Sequence, residues 1–112
     1  MDFNTNIEIN NTIANIRLYG ELDAATAPIF KIAVDKAASQ GVECLVLHMK
    51  DLTYMSSAGL RILIFAKQKM GANVDIYVVG AQPTVISTLE KTGFDQSVIL
   101  LDEDNLSKLE KV

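Results

Sequence analysis

The sequence predicts a single α/β domain: a mixed, mostly parallel β-sheet with an N-terminal β-hairpin and about four packed helices. Three observations lead there. After the first two apolar runs, strand-length segments alternate with longer segments of helical period. The breaks between them are short and carry Gly or Pro. One run, Cys44–Met49, is apolar on both faces apart from His48, as a central, largely parallel strand requires.

Taken in order, Ile7–Ile9 is apolar at alternate positions, and Asn10-Asn11 makes a polar turn. Ile13–Tyr19 then returns as the second arm of a hairpin. Ile16 and Leu18 are expected to face the core, with Arg17 outward. Gly20-Glu21-Leu22-Asp23 ends that strand. Thr26-Ala27-Pro28 opens a helix, since Pro is tolerated in the first turn, with either Asp23 or Thr26 as its cap. The helix runs to about Gln40 and stops at Gly41, burying Phe30, Ala33, Val34 and Ala37 on one face. After the Cys44–Met49 strand, a second helix is expected from about Ser57 to Met70, closed by Gly71. Val74–Val79 is the next strand. Pro83 begins a short helix with Val85, Ile86 and Leu89 inward, ending at Gly93. Val98–Leu101 is a last strand, and Asp102 is placed to cap a final helix that packs Leu106 and Leu109.

Composition narrows the function. The chain has 112 residues, 49% of them hydrophobic, enough for one domain with a real core. A net charge of -4 and the lack of any basic run with interleaved aromatics argue against nucleic acid or an anionic membrane as partner. One cysteine, Cys44, permits no internal disulfide. Residues 1–6 show no basic region or following apolar run, and no apolar stretch reaches membrane-spanning length, so a cytoplasmic protein without membrane insertion is expected.

Chemistry-bearing motifs are scarce. No Gly-rich phosphate loop or dinucleotide fingerprint is present, so no cofactor is expected. One His and one Cys cannot build a zinc cluster, so no metal is expected. Cys44 and His48 share a strand face at a separation of about 13 Å, too far for a catalytic pair. Packing is their expected role. Tyr19, Tyr54 and Tyr77 read as core or edge aromatics. Asp51 is expected to bond backbone N–H groups in the turn before the second helix, since no acid–base partner is evident for it. The sequence therefore gives no catalytic residues.

The informative stretch is Asp51-Leu52-Thr53-Tyr54-Met55-Ser56-Ser57-Ala58-Gly59-Leu60-Arg61. Two hydroxyl residues stand where the pattern changes to helical. A helix start exposes unpaired N–H groups, so a serine there can cap, be modified or lie under an anion. At 100° per residue, Gly59, Leu60, Leu63, Ala66 and Met70 form the inner face. Ser57, Arg61, Ile64, Phe65 and Gln68 lie roughly opposite. Exposed Ile64 and Phe65 beside a helix-start serine suggest a docking surface; cover by the first or last helix is the alternative. A phosphate on Ser57 would meet free N–H groups and the Arg61 guanidinium one turn on. An unmodified capping pair, Ser56 and Ser57, satisfies the same residues.

That stretch resembles the signature of the STAS domain family, in its branch of bacterial anti-sigma factor antagonists. Gly20-Glu21-Leu22-Asp23 with Thr26-Ala27 resembles the same family's first-loop motif. Gly71, the Val74–Val79 strand and Pro83–Phe94 are similar to its later half, so residues 1–112 read as one domain. The resemblance implies partner switching. The partner it implies is an anti-sigma factor that is also a serine kinase of GHKL type. The unmodified antagonist sequesters this kinase, phosphorylation of a helix-start serine breaks the complex, and a PP2C-type phosphatase restores it. The family's phosphoserine falls on Ser57, with Ser56 as the competing acceptor. Asp23, Asp51, Ser56, Ala58 and Gly59 become the switch loop, and Arg61, Ile64, Phe65 and Gln68 the partner face. One position departs: Ser56 stands where the family often has Asp, keeping a cap but losing a charge. The family also admits another task, a STAS subunit of a transporter or lipid-trafficking complex that docks without a phosphorylation cycle.

Overall fold

The computed structural model of the chain describes residues 3–102. Along it run β1 (Asn4–Asn10), β2 (Ile13–Leu22), α1 (Ala27–Ser39), β3 (Cys44–Met55), α2 (Ser57–Met70), β4 (Asp75–Val79), α3 (Pro83–Thr92), a 3-10 turn (Phe94–Ser97) and β5 (Ile99–Leu101). The described residues thus hold three α-helices. The fourth helix expected after Asp102, with Leu106 and Leu109, lies outside them.

The sheet order is β1-β2-β3-β4-β5, with β1 antiparallel to β2 and the other three pairings parallel. Chain order and spatial order coincide because each crossover steps one strand the same way. Right-handed crossovers in one direction place α1, α2 and α3 on one face. Phe30 of α1, Leu63 of α2 and Leu89 of α3 accordingly share a core with Ile16, Leu47 and Val78 of the sheet. The hairpin turn falls one residue later than expected, at Asn11-Thr12, because Asn10 already pairs with Ile13. Asn11 takes a positive φ of 55°, which asparagine tolerates better than most side chains.

The main departure is β3. It does not stop at Met49 but runs on to Met55 along β2, to the pair Leu22↔Met55. β4 accompanies β3 only as far as His48↔Val79. Beyond that point the residue that caps α3 supplies part of the edge: Gln82 Nε2 donates to Lys50 O at 2.9 Å. Alternation hid this extension. The register slips between Arg17 and Tyr19, so Leu18 faces two residues of β3 and consecutive Lys50 and Asp51 both turn outward.

Candidate functional site

Two strand-to-helix junctions meet at the C-terminal ends of β2 and β3. The β2–α1 junction is held by side chains. Asp23 Oδ1 accepts from Ala25 N at 3.0 Å, Thr26 N at 3.1 Å and Thr26 Oγ1 at 3.1 Å. Thr26 Oγ1 accepts from Asp23 N at 2.9 Å. This reciprocal pair resolves the open choice of cap. Thr26 occupies the cap position without a side-chain cap bond, while Asp23 closes the turn before it and its carbonyl takes Ala27 N at 2.8 Å.

The β3–α2 junction is held mainly by backbone. Ser56 N donates to Leu22 O at 2.8 Å, which joins the two junctions. Ser56 is the N-cap in extended conformation, and its Oγ accepts from Gly59 N at 3.5 Å, a long bond. Thr53 Oγ1 donates to Gly20 O at 3.1 Å and ties the last turns of β3 to β2. Ser57 is the first residue of α2 and is exposed; Ala58 is half-buried.

Gly59 explains how close the elements come. A Cβ built there would lie 2.6 Å from Leu22 Cγ and 3.0 Å from Met55 Cγ. Only a residue without a side chain lets the first turn of α2 rest on Leu22, so the expected inward position of Gly59 is realised. Leu60, Leu63 and Ala66 are buried with it, and Met70 is half-buried.

The outer face of α2 differs from expectation at Phe65. Arg61, Gln68 and Ile64 are exposed, Ile64 to 36%. Phe65 is half-buried against the core rather than projecting beside Arg61. Lys31 Nζ stands 4.7 Å and Lys69 Nζ 5.5 Å from its ring centroid. Both lysines also reach Asp35 of α1, at 3.3 and 3.4 Å. Helical phase alone put Phe65 outward, but α1 lies against that flank of α2 and covers it.

Asp51 is also displaced from its expected place. It pairs with Tyr19 inside β3 and is exposed, about four strand residues or ~13 Å before the end of the strand. It makes no part of the turn at Ser56. Ser56 and Gly59 both meet Leu22, the residue before Asp23; Asp51 takes no part in that junction. Leu22 was missed as a site residue, since nothing in Gly20-Glu21-Leu22-Asp23 announces which strand end it will support.

His48 is buried, with Nε2 2.9 Å from Asn15 Oδ1, and the Cys44 thiol is pushed up to about 11 by burial and by the nearby Asp75. A thiol held there is almost wholly protonated near neutrality and a poor nucleophile. Among the described residues, no three His, Cys, Asp or Glu side chains converge on a metal-sized site. No helix among them is long and apolar enough to cross a membrane.

A family model for the STAS domain matches residues 4–108. The chain belongs to the STAS domain family. This STAS domain is 25% identical over 88 residues to the anti-sigma-F factor antagonist RsfB of Mycobacterium tuberculosis, a match covering 79% of this chain and 72% of RsfB. An anti-sigma factor antagonist from Mycobacterium paratuberculosis superposes with a TM-score of 0.82 at 25% identity, over 89% of this chain and 86% of that one. The Bacillus protein SpoIIAA shares the fold at 19% identity. Its unphosphorylated form gives a TM-score of 0.74 over 99% of this chain and 100% of that one, and its phosphorylated form 0.71 over 96% and 97%.

Proposed function

We propose that this STAS domain is an anti-sigma factor antagonist, a regulatory binding protein rather than an enzyme, switched off by phosphorylation at Ser57. The observation that carries the acceptor assignment is the division of labour between the two serines. Ser56 Oγ is turned onto Gly59 N, whereas Ser57 is exposed on the first turn of α2. A phosphate there gains the positive end of the helix dipole and the guanidinium of Arg61 one turn on. It also brings about two negative charges to the edge of the exposed strip Arg61, Ile64 and Gln68. The antagonists similar to this chain, and the existence of SpoIIAA in a phosphorylated form, support the same reading.

The partner is an anti-sigma factor of GHKL kinase type, and a PP2C-type phosphatase resets the switch. Docking uses Arg61, Ile64 and Gln68, with Phe65 at the margin. Ile64→Asp is therefore the cleaner probe of binding: Phe65→Asp would also remove a half-buried ring from the α1–α2 contact. The cycle operates in the cytoplasm, where kinase and sigma factor reside.

Incubation of the parent, Ser56→Ala and Ser57→Ala proteins with such a kinase and ATP, read by intact mass, tests the acceptor. One added phosphate on the parent and on Ser56→Ala, and none on Ser57→Ala, is the expected pattern. Phosphate on Ser57→Ala but not on Ser56→Ala would move the switch one residue upstream. No complex with any GHKL-type kinase from the same genome would defeat the function itself.

A further inference from the structure

The register slip in β3 opens a recess between β2 and β3. It measures about 180 Å³ and is lined by Arg17, Leu18, Tyr19, His48, Lys50 and Asp51. The bulge makes it: Arg17 stands opposite His48 and Tyr19 opposite Asp51, so Lys50 is inserted between those two rows. Leu18 and Met49 are buried, so apart from Leu18 at its floor the recess is lined by polar side chains. Bulges commonly re-aim side chains at sites where a ligand meets a sheet.

The charge balance within the recess is opposite to that of the whole chain. A guanidinium and an ammonium face one carboxylate there, while the net charge of the protein is -4. Among the described residues no ion pair within 4.0 Å joins Asp51 to Arg17 or to Lys50. Arg17, Lys50 and Asp51 are exposed at the rim, His48 is held against Asn15, and Tyr19 adds a hydroxyl. Arginine supplies a planar pair of donors and lysine a point charge, the combination suited to a tetrahedral oxyanion. The volume fits a phosphate-sized group and falls short of the roughly 300 Å³ at which pockets for drug-sized ligands begin.

We infer that the β2–β3 recess is a binding site for a phosphate-type oxyanion, held by Arg17 and Lys50. The ligand is inorganic phosphate or the phosphoryl end of a small phosphomonoester. This site is independent of the switch at Ser57 and stands whether or not that serine is modified.

Titration of the full chain with sodium phosphate, followed by amide NMR spectra against sodium chloride at matched ionic strength, tests it. Saturable, millimolar-range shifts centred on Arg17, His48, Lys50 and Asp51 are expected with phosphate and not with chloride. Arg17→Gln should weaken binding by about tenfold, as loss of a charge-assisted pair implies, and Lys50→Gln should weaken it less. Asp51→Asn should tighten it by removing like charge. A parallel titration with glycerol phosphate separates the two ligand sources: tighter binding assigns a phosphomonoester, equal or weaker binding the free ion. Shifts matched by chloride, spread over the surface lysines, or unchanged in Arg17→Gln would overturn the site. The variants lie at exposed positions, and their own spectra report whether the fold is kept.

Discussion

The two junctions at the ends of β2 and β3 begin helices in the same place by different means. Before α1, Asp23 and Thr26 consume each other's polar atoms in a closed turn. Before α2, one long bond from Gly59 N to Ser56 Oγ is the only side-chain cap, and the backbone bond from Ser56 N to Leu22 O does the holding. A turn whose side chains are occupied is a fixed support. A turn held by backbone and by a missing side chain leaves Ser57 exposed on the first turn of α2. The second junction is positioned by its neighbour rather than by its own caps.

Gly59 is where that dependence is sharpest, and its replacement should have the largest effect. Gly59→Leu must displace Leu22 or Met55, and overpacking of this kind costs about 1–3 kcal/mol. A thermal melt should fall accordingly. An unchanged melt would show that α2 can lift off Leu22 freely, and the two junctions would then be independent.

The side chains that hold the two junctions come next. Asp23→Ala leaves the turn before α1 without the acceptor for Ala25 N and Thr26 N and should cost about 1–2 kcal/mol, as lost hydrogen bonds in a closed turn do. Ser56→Ala should cost only about 0.5 kcal/mol, the lower end for a lost cap, because its bond is long. Denaturant melts of both variants give the ranking. A larger loss at Ser56 would reverse the comparison.

Ser57 should matter to binding and not to folding. Ser57→Ala at an exposed helix-start position should stay within about 0.5 kcal/mol of the parent. It should bind the kinase and resist release by ATP. Ser57→Glu should fold equally well and bind poorly, through like charge and desolvation at the interface edge. Binding measured by calorimetry on the two variants separates the roles. Equal affinities would remove Ser57 from the interface.

How much of this was legible depends on which neighbour a residue answers to. Residues governed by their own element were readable: Gly59, Leu60, Leu63 and Ala66 fall inward as helical phase requires, as do Ile16 and Leu18 by alternation. The helix bounds at Ser57 and Met70 were readable because capping serines and Gly71 are local signals. Residues governed by another element were not. Phe65 is covered by a lysine from α1, and helical phase carries no record of that neighbour. Asp51 reads as a turn residue, yet pairing with Tyr19 of β2 keeps it in a strand. Neither Lys50-Asp51 nor Leu18 shows a bulge until both strands are set side by side.

The smallest expected effect lies where the helices behind the two junctions touch. Asp35 of α1 receives Lys31 from its own helix and Lys69 from α2. Burial by itself raises the Asp35 carboxyl. The hydrogen bond and charge of Lys31, and then the charge of Lys69, outweigh it and hold the group below its ordinary value of 3.8. A depressed carboxyl contributes stability that is present above the unfolded value and is lost as pH falls through the folded one. The contact is solvent-screened, so its contribution is small and diminishes with salt. Asp35→Asn should therefore lower the melting temperature slightly at pH 7, and the gap to the parent should close as both are taken below the ordinary carboxylate range. If the gap persists at acidic pH, the packing of α1 on α2 around Phe65, rather than the charge, ties the β2–α1 junction to the β3–α2 junction.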